Sequence, residues 1–524
     1  MLMAYSGVRA NGSADDERPA EAALRAVTHA RAAQGGWART PIRHRLAILR
    51  RLRHAIEQEA HPLAASITAP NRDLAQRLAS EVLPLADAIR FLERRAARLL
   101  APAAHGFWGR PLWLAGCDLT VTREPLGVVL IVAPSNYPLL LSGVGAAQAL
   151  AAGNAIVIKP APGHEAPMRL LRDLAIESGI HPDLFCIASG ASQAVNAAIE
   201  AGVDKVVLTG SAPTGRAVLA RCAEKITPAI MELSGCDATF VLPDADLDLA
   251  ARAIVFGLTM NGSATCIAPR RCFVPRTVLD DLEKRISALV EKWPPIYLPR
   301  HVFDQMMELT RDAVAGGARV VSTNRNGDSS ATNLQFAPSD GELTQVAPLI
   351  LSDCRPTSRL LNADLFAPVL AIVPVADIAE AERLNQCSAF SLGATIFGPA
   401  REAQQLAARL NAGAVVINDA IAPTADPRLP FGGRGQSGFG ATRGAEGLLE
   451  MTRPKAVSTR KGRFRPHFQP TQNGDDAMFR AYLLAAHGRT PGERFNGVTR
   501  LVRALIRRPK HGENINSNGA LSNG

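Results

Sequence analysis

Short apolar runs alternate with amphipathic stretches of helical spacing along the first half of the chain. An opening region, residues 19–100, has apolar positions at helical intervals, as in Leu46, Leu49, Leu52 and Ile56. It is followed by the runs LGVVLIVAP, NAIVIKP, DLFCIAS, DKVVLTG and AIMELSG. Alternation of this kind indicates crossover units, in which parallel strands form a sheet that helices cover on both faces. The pattern therefore predicts an α/β fold preceded by helices.

The second half of the chain continues the mixed pattern with strands of its own. Between about residues 236 and 420 it contains the apolar runs VLAIVPV and GAVVIND. Residues 107–123 and 454–459 instead look extended, the first as a strand or hairpin and the second as a short strand. The sequence thus predicts a second α/β region and separate extended elements.

Polar and glycine-containing motifs follow directly after the predicted strands. They are PSNYP, KPAPGHE, TGSAPTG and ELSG. Ligands of open parallel sheets bind at the carboxyl ends of the strands, so these motifs are the first candidates for a functional site. A glycine-rich loop, LPFGGRGQSGFG, lies near the end of the second region.

Length and composition indicate a large globular protein. The chain has 524 residues, of which 47% are hydrophobic, so several domains with buried cores fit. Its eight cysteines form no CxxC pair and have no histidine clusters beside them, which predicts reduced thiols, a cytoplasmic location and no metal site. No apolar run resembles a signal peptide or reaches the roughly 18 residues of a membrane span. We therefore expect a protein that is neither secreted nor membrane-spanning.

The formal charge of +10 belongs to the C-terminal part of the chain. From Arg453 onward there are 14 Lys and Arg against 4 Asp and Glu, and the preceding residues carry equal numbers of both signs. This distribution argues against a basic groove through the body and so against nucleic acid as a partner. A basic amphipathic helix is predicted within VTRLVRALIRR, where one face is formed by Val498, Leu501, Val502, Leu505 and Ile506. Such a helix can contact an anionic membrane surface peripherally or dock on the protein itself or on a second subunit.

Two strand ends have the chemistry of a nucleotide site. In TGSAPTG, Gly210 and Gly215 allow close backbone approach between a strand and a helix, and Ser211 lies at the helix N-terminus, which favours a pyrophosphate. An ordinary strand-to-helix turn explains the same residues, because the GxGxxG spacing is absent. Lys159 ends another strand, where it would bind cofactor hydroxyls or phosphate or extend into solvent.

Three further residues are candidates for catalysis. Cys266, in NGSATCIAPRR, is closely followed by two arginines, whose positive charge would favour the thiolate and so a nucleophile; otherwise the cysteine is a small packing residue. Glu232 follows an apolar run, where desolvation would raise its pKa as a general base needs, unless it faces water. Asn136, in PSNYP, offers a side-chain amide to a developing oxyanion or serves the turn in which it lies.

Taken in order, these motifs resemble the NAD(P)-dependent aldehyde dehydrogenase family. The resemblance runs from about Glu124 to Lys455 and includes EPLGVVLIVAPSNYP, LAAGNAIVIKP, VDKVVLTGSAPTG, MELSG, MNGSATCIAP, DLFAPV and LPFGGRGQSGFG. Glu232 and Cys266 are 34 residues apart, which is the spacing that the family uses between general base and nucleophile. The versions TCIAP and VIND look most like the fatty and aromatic aldehyde branch, which is class 3-like.

The resemblance implies a reaction and a cofactor. Cys266 would attack the aldehyde carbon to give a thiohemiacetal, with the oxyanion held by Asn136, and loss of hydride to NAD or NADP would leave a thioester. Water activated by Glu232 would then release the carboxylic acid. The cofactor-binding residues implied are Lys159, Gly210, Ser211, Gly215, Asp364 and Phe366.

Several positions depart from the family pattern. Pro162 stands where a glutamate often accepts hydrogen bonds from the adenosine ribose, so the usual preference for NAD over NADP loses its support. Asp364 replaces a glutamate in the segment DLFAP, which shortens the side chain by one methylene. The other departures are Ser135, Ser234, Cys236, Ser263 and Ala264. They bear on substrate choice and rate more than on the type of reaction.

The resemblance also implies an architecture. We expect a Rossmann-type dinucleotide-binding domain (1–106 and 124–232), an α/β catalytic domain (233–445), bridging strands (107–123 and 454–460) that act as a β oligomerisation element, and a basic C-terminal extension (463–524). Pairing of the bridging strands would give a homo-oligomer, either a dimer or a dimer of dimers. Two other functions stay open: a CoA-acylating dehydrogenase, which Glu232 disfavours, and a catalytically weak scaffold.

Overall fold

The computed structural model describes residues 18–321, 343–463, 465–468 and 470–507. The chain divides into two compact units. The first contains the described residues up to His105 together with Thr120–Val457, and the second contains Gly106–Leu119 and the described residues from Ser458 onward.

The helices and strands of the first unit follow the predicted order. Five helices open it: α1 (Pro19–Arg39), α2 (Ile42–Gln58), α3 (Ala60–Ala65), α4 (Leu74–Arg77) and α5 (Leu83–Leu99). Two strands come next, β1 (Ala103–His105) and β2 (Cys117–Pro125). The crossover units are β3 (Val128–Val132), α6 (Leu140–Ala152), β4 (Ala155–Lys159), α7 (Ala166–Glu177), β5 (Phe185–Ile187), α8 (Gln193–Glu200), β6 (Lys205–Gly210), α9 (Ala212–Lys225) and β7 (Ala229–Leu233).

A second series of elements follows without a long interruption. Its first members are β8 (Asp237–Val241), α10 (Leu247–Thr259), β9 (Pro269–Pro275), α11 (Leu279–Val290), β10 (Ile296–Pro299), α12 (Arg300–Ala315), β11 (Arg319–Val320), β12 (Leu343–Val346), β13 (Leu349–Ser352) and β14 (Val369–Val375). The remainder are α13 (Ile378–Gln386), β15 (Phe390–Ser391), β16 (Gly393–Phe397), α14 (Ala400–Arg409), β17 (Ala414–Ile417), β18 (Arg434–Gly435), β19 (Gly438–Phe439), α15 (Gly444–Glu450) and β20 (Thr452–Arg460).

The first large sheet has the order β19-β7-β6-β3-β4-β5. All neighbouring pairs are parallel except β19 with β7, which is antiparallel. Every residue of β3 and β4 is buried, because uninterrupted apolar strands such as Val128–Val132 require cover on both faces. The predicted α/β fold with a parallel sheet is confirmed.

The second large sheet has the order β11-β13-β14-β9-β8-β16-β17. It is parallel except at the β11–β13 edge. Phe240 and Phe273 stack inside it with ring centroids 5.3 Å apart and belong to its core. The short loop between β7 and β8 joins the two sheets in the sequence, so the carboxyl end of β7 is followed at once by the second sheet.

The predicted extended elements are right in part. Strand β20 contains the whole segment 454–459 and joins β1 and β2 in a three-stranded sheet of order β1-β2-β20. Residues 107–123 are extended only from Cys117, since Leu112–Leu114 form a short 3-10 turn.

The second unit contains a helical hairpin. Helices α16 (Asp475–His487) and α17 (Pro491–Arg507) pack closely where Gly497 meets α16, since a Cβ there would lie 2.2 Å from the Ala485 nitrogen. The predicted basic amphipathic helix is therefore present as α17. None of the described helices is long and apolar enough to cross a bilayer.

Strand β19 approaches β7 so closely that only glycine fits at its first residue. Gly438 pairs with Glu232 and has a φ of 100°, and a Cβ there would lie 1.9 Å from the Met231 carbonyl oxygen. Both the backbone angle and the contact exclude other residues. We therefore expect Gly438→Ala to lower the free energy of unfolding by about 3 kcal/mol.

A matched control is available in α1. Gly36 lies in the helix, and a Cβ added to it would meet nothing within 4 Å, so Gly36→Ala should raise stability by about 1 kcal/mol. Thermal unfolding of both variants gives the comparison. Equal melting temperatures for Gly438→Ala and the unmodified protein would contradict the tight β19–β7 contact.

Candidate active site

Cys266 lies in a loop between the 3-10 turn Met260–Ser263 and strand β9. Three consecutive residues of that turn, Asn261, Gly262 and Ser263, have positive φ angles, so the chain is bent sharply before the cysteine. Arg270 holds this bend, because its guanidinium donates to the Ser263 carbonyl and hydroxyl at 2.5 Å and to the Ala367 carbonyl at 2.5 Å. A strained loop is thus fixed by a buried cation.

Cys266 is half-buried in the wall of a cavity of about 1360 Å³. The apolar part of the wall includes Tyr137, Leu140, Leu141, Ile267, Ile421 and Phe431. Charged side chains also line it, namely Asp87, Arg90, Arg94, Arg95, Asp426, Arg428 and Arg443. The cavity is large enough for an extended organic substrate beside a thiol.

Asn136 and Tyr137 connect the loop after β3 to the cysteine loop. The Asn136 amide donates to the Ala264 carbonyl at 3.1 Å, and its own side-chain oxygen accepts from the Tyr137 N–H at 2.9 Å. The Tyr137 hydroxyl is 2.7 Å from the hydroxyl of Thr265, the neighbour of Cys266. Asn136 therefore serves its own turn and also places an amide donor two residues from the thiol.

A buried ion pair holds this asparagine loop. Arg72 lies 2.6 Å from Glu81 and donates to the Asn136 carbonyl at 3.1 Å, with its guanidinium over the Tyr137 ring. The other oxygen of Glu81 accepts from the Leu139 N–H at 2.8 Å, at the start of α6. Burial raises the pKa of Glu81, while the charge of Arg72 and the backbone donors oppose that shift.

Glu232 is buried, with 4% of its surface exposed, which excludes the interpretation of a carboxylate facing water. Its carboxylate accepts from the Thr209 hydroxyl at 3.1 Å and from the Thr442 hydroxyl. Burial raises the pKa of Glu232, and the two threonine donors and the charge of Arg443 act against that rise. The raised pKa expected from the sequence is present, and its cause is desolvation.

The charges around Cys266 differ from those that the sequence suggests. Burial, Asp237 and Glu232 together raise the pKa of the Cys266 thiol to about 12, so the thiol is protonated at neutral pH in this state. Of the two arginines just after it, Arg270 clamps the loop and Arg271 donates to the Cys236 carbonyl at 2.8 Å. The largest opposing charge comes instead from Arg443, 177 positions later in the chain.

The predicted cofactor residues of the first sheet lie at its carboxyl edge. Lys159 ends β4 and is buried, which lowers its pKa, while Glu165 acts in the opposite direction. Gly210 ends β6, and Ser211 caps α9 by accepting from the Thr214 N–H at 3.4 Å. These strands pair with β3, so the two ends open on the same edge of the sheet.

Gly215 has a packing role. A Cβ at this position would lie 2.7 Å from the Leu233 side chain, so glycine allows α9 to lie close against β7. This close approach sets the position of the α9 N-terminus, whose positive dipole end favours a pyrophosphate and which the Ser211 hydroxyl caps. The donor set of a lysine, a helix N-terminus and a hydroxyl fits a dinucleotide.

Asp364 and Phe366 lie together in the loop before β14, and both are half-buried. Burial raises the pKa of Asp364, against a hydrogen bond from Ser234 and the charge of Arg270. The Ser234 hydroxyl also lies 3.4 Å from the Gly210 carbonyl. Ser234, which departs from the family pattern, therefore connects the predicted residues of both sheets.

Four residues of the site were not identified from the sequence: Arg72, Glu81, Thr442 and Arg443. Arg72 and Glu81 lie in the helical opening region, where a charged residue usually marks an exposed face. Thr442 and Arg443 follow the glycine-rich loop directly, and that position is the only sequence signal for them.

The comparisons with known proteins agree with the fold and the motif order. The sequence model of the aldehyde dehydrogenase family matches residues 15–457. A 4,4'-diapolycopene aldehyde oxidase from Methylomonas sp is 30% identical over 475 residues, which covers 88% of this chain and 86% of the relative.

Solved structures lead to the same family. An NAD-dependent aldehyde dehydrogenase from Sinorhizobium meliloti has a TM-score of 0.78 and 26% identity, and the match covers 86% of this chain and 89% of that chain. An NADP-dependent glyceraldehyde-3-phosphate dehydrogenase from Bacillus halodurans C-125, complexed with NADP, has a TM-score of 0.74 and 28% identity, covering 84% and 91%.

The Arg72–Glu81 pair gives a direct test of how the asparagine loop is held. Arg72→Met leaves a buried carboxylate without its partner and should cost about 3 kcal/mol of stability, with partial recovery in Arg72→Met/Glu81→Leu. The exposed pair Arg300–Asp304 provides the control, and Arg300→Met should cost less than about 0.5 kcal/mol. Chemical denaturation measures all three. Equal costs for the two single variants would contradict the structural importance of the pair.

Proposed function

The chain belongs to the aldehyde dehydrogenase family, and on that premise we propose how its own residues carry out the reaction. It is an NAD(P)-dependent oxidoreductase that converts an aldehyde to a carboxylic acid. The observation that carries the assignment of roles is that Cys266 opens on a large cavity. The charge of Glu232 acts on its thiol, and the Asn136 amide donates to the Ala264 carbonyl, two residues before Cys266.

Cys266 is the nucleophile in this proposal. Its sulfur forms a bond to the aldehyde carbon as the thiol proton passes to water in the cavity, and the carbonyl oxygen becomes the oxyanion of a thiohemiacetal. The Asn136 amide and the Cys266 N–H stabilise that oxyanion, for which Asn136 must exchange its bond to the Ala264 carbonyl for one to the substrate. The oxidised nicotinamide, when bound, supplies the hydride acceptor that turns the thiohemiacetal into a thioester.

Glu232 is the base that releases the product. Its raised pKa brings the carboxylate toward the range in which it can accept a proton from water, and the hydroxide equivalent attacks the thioester carbon. The carbon–sulfur bond then breaks, which gives the carboxylic acid and regenerates Cys266. Because the carboxylate is bound to two threonine hydroxyls, it must leave at least one of them to reach a water beside the sulfur.

In this proposal, residues at the carboxyl edge of the first sheet would hold the cofactor. Lys159, Ser211 and the backbone at Gly210 would bind its adenosine and pyrophosphate part. Asp364 and Phe366 would bind its nicotinamide part. Gly215 acts indirectly by letting α9 pack on β7. The absence of an acceptor at Pro162 favours the use of either NAD or NADP.

The predicted domain and subunit arrangement remains a proposal. The first sheet would form the dinucleotide-binding domain and the second the catalytic domain, with the boundary at about 232/233. Strands β2 and β20 would pair between subunits in a homodimer or a dimer of dimers. Support comes from their position in a small sheet outside the two large ones.

The substrate proposed is an apolar aldehyde of the fatty or aromatic kind. Many apolar side chains line the cavity that contains Cys266, and burial of such surface stabilises a hydrocarbon by about 25 cal/mol per Å².

Helix α17 supports a peripheral membrane contact for the same enzyme. Although it packs on α16, its apolar side chains Phe495, Val498, Val502, Leu505 and Ile506 are exposed. Arg500, Arg503 and Arg507 lie beside this stripe on the same helix. Exposed apolar residues flanked by arginines complement an anionic lipid surface.

The catalytic roles predict distinct kinetics for two variants. With a panel of aliphatic and aromatic aldehydes and either cofactor, Cys266→Ala should form no NAD(P)H, because no thiohemiacetal is made. Glu232→Gln should give one burst of about one NAD(P)H per site and then turn over at least about a hundredfold more slowly than wild type. Absorbance at 340 nm measures both. Full steady-state turnover by Glu232→Gln would contradict the base, and acceleration of wild type by CoA would favour the acylating alternative.

The membrane contact predicts binding to anionic vesicles. Sedimentation with vesicles that contain phosphatidylglycerol should recover the protein at low salt, and 0.5 M salt should release it. Val502→Glu/Ile506→Glu should reduce the bound fraction at least about threefold, because carboxylates enter the apolar stripe. The control is Leu24→Glu, an exposed leucine of α1. Equal binding of both variants, or none by wild type, would leave docking on the protein itself as the explanation.

A further inference from the structure

Arg443 is a cation in the cavity wall, and the proposed reaction gives it no role. It precedes α15 with a φ of 60°, an unusual angle for a residue with a side chain. The same cavity wall contains Cys266 and Arg443. The backbone angle and the location both call for an explanation beyond packing.

The guanidinium of Arg443 is held on two sides. One nitrogen, Nη1, donates to the Thr424 carbonyl at 2.8 Å, and the guanidinium carbon lies 4.7 Å from the centroid of the Phe431 ring. Guanidinium carries five N–H donors in a rigid plane, so these two contacts orient the group while using little of its hydrogen-bonding capacity. The cation is fixed in place.

Among the described residues, no carboxylate forms a salt bridge with Arg443. The nearby acidic residue Asp426 is paired with Arg428 in a bidentate contact, and Glu232 is hydrogen-bonded by two threonines. Burial lowers the pKa of Arg443 and the charges of Glu232 and Cys266 raise it, which places these three groups within electrostatic reach of one another. The guanidinium is therefore available to an anion that forms in the cavity.

Five titratable side chains interact electrostatically with the Cys266 thiol. They are Asp237, Glu232, Arg270, Arg443 and Tyr137. Tyr137 is neutral at physiological pH, because burial raises its pKa to about 12, and Arg270 is engaged in clamping the loop. Arg270 and Arg271 lower the pKa of Asp237, whereas Arg443 is the main charge that lowers the pKa of Cys266.

We propose that Arg443 is a positioning residue whose fixed charge stabilises the Cys266 thiolate and so prepares the nucleophile for attack. This inference rests on the proposed role of Cys266. It adds a positive charge, from the C-terminal side of the glycine-rich loop, to the Ile267 N–H that also lowers the pKa of Cys266. The side chain acts through its positive charge, and the contacts with Thr424 and Phe431 determine where that charge lies.

The test measures the reactivity of Cys266 without aldehyde or cofactor. Alkylation by iodoacetamide is followed from pH 6 to 10 by mass spectrometry of the peptide that contains Cys266, because only the thiolate reacts. Arg443→Met keeps much of the side-chain volume and should slow alkylation about tenfold at pH 8, the effect of one pKa unit. Arg443→Lys keeps the charge and should stay within about threefold of wild type, and Arg409→Met, which removes an exposed charge paired with Glu382 away from the cavity, should not change the rate.

A second reagent separates charge from access. Iodoacetate is an anion of nearly the same size, so the ratio of its rate to that of iodoacetamide reports positive potential near the sulfur. Arg443→Met should lower that ratio and Arg409→Met should not. Melting temperatures identify any unfolded variant, and Arg443→Gln replaces Arg443→Met if the latter does not fold.

Two results would overturn the proposal. Unchanged alkylation in Arg443→Met and Arg443→Gln would show that the charge is not felt by the sulfur. Equal slowing in Arg443→Lys and Arg443→Met would assign the effect to shape. Turnover is a separate readout: if Cys266→Ala still oxidises aldehydes, the proposed function fails whatever the alkylation rates are.

Discussion

The active site depends on a buried ion pair far from it in the sequence. The side chains of Arg72 and Glu81 are both almost completely buried, and each also forms a hydrogen bond to the loop after β3. A buried pair of this kind is costly to form, and its value lies in fixing one geometry. Here the ion pair holds the Asn136 backbone, and the Asn136 amide donates to the Ala264 carbonyl in the loop of Cys266. The helical opening region thereby determines where the nucleophile stands.

A second constraint is the close approach of backbones around Glu232. Strand β19 lies against β7 only because Gly438 has no side chain, and the same turn of chain brings Thr442 to the Glu232 carboxylate. Desolvation raises the pKa of this carboxylate, while the threonines keep it hydrogen-bonded. The site therefore joins two weak acids, Cys266 and Glu232, whose burial opposes ionisation of both. The positive charge of Arg443 acts on both groups and opposes the rise in their pKa values.

The sequence predicted the α/β fold well because alternation of apolar runs and helical stretches is a local signal, and buried strands such as Val128–Val132 have no polar interruption. It also predicted Cys266, Glu232 and Asn136 as the catalytic residues, because the motif order is distinctive. It did not identify Arg72, Glu81 or Arg443, whose roles arise from contacts across large sequence separations. Charged residues are normally solvent-exposed, so no local pattern distinguishes these three. For the same reason the arginines next to Cys266 suggested activation, whereas Arg270 is engaged with the Ser263 backbone.

The proposed mechanism depends on a thioester between Cys266 and the substrate, which water activated by Glu232 hydrolyses. The most direct measurement is the intact mass of Glu232→Gln after brief reaction with an aldehyde and oxidised cofactor, followed by peptide mapping. The thioester mechanism predicts a mass increase equal to the acyl group. The added mass should lie on the peptide that contains Cys266, and hydroxylamine should remove it. An unmodified Cys266, or an acyl group on another residue, while NAD(P)H is formed, would contradict it.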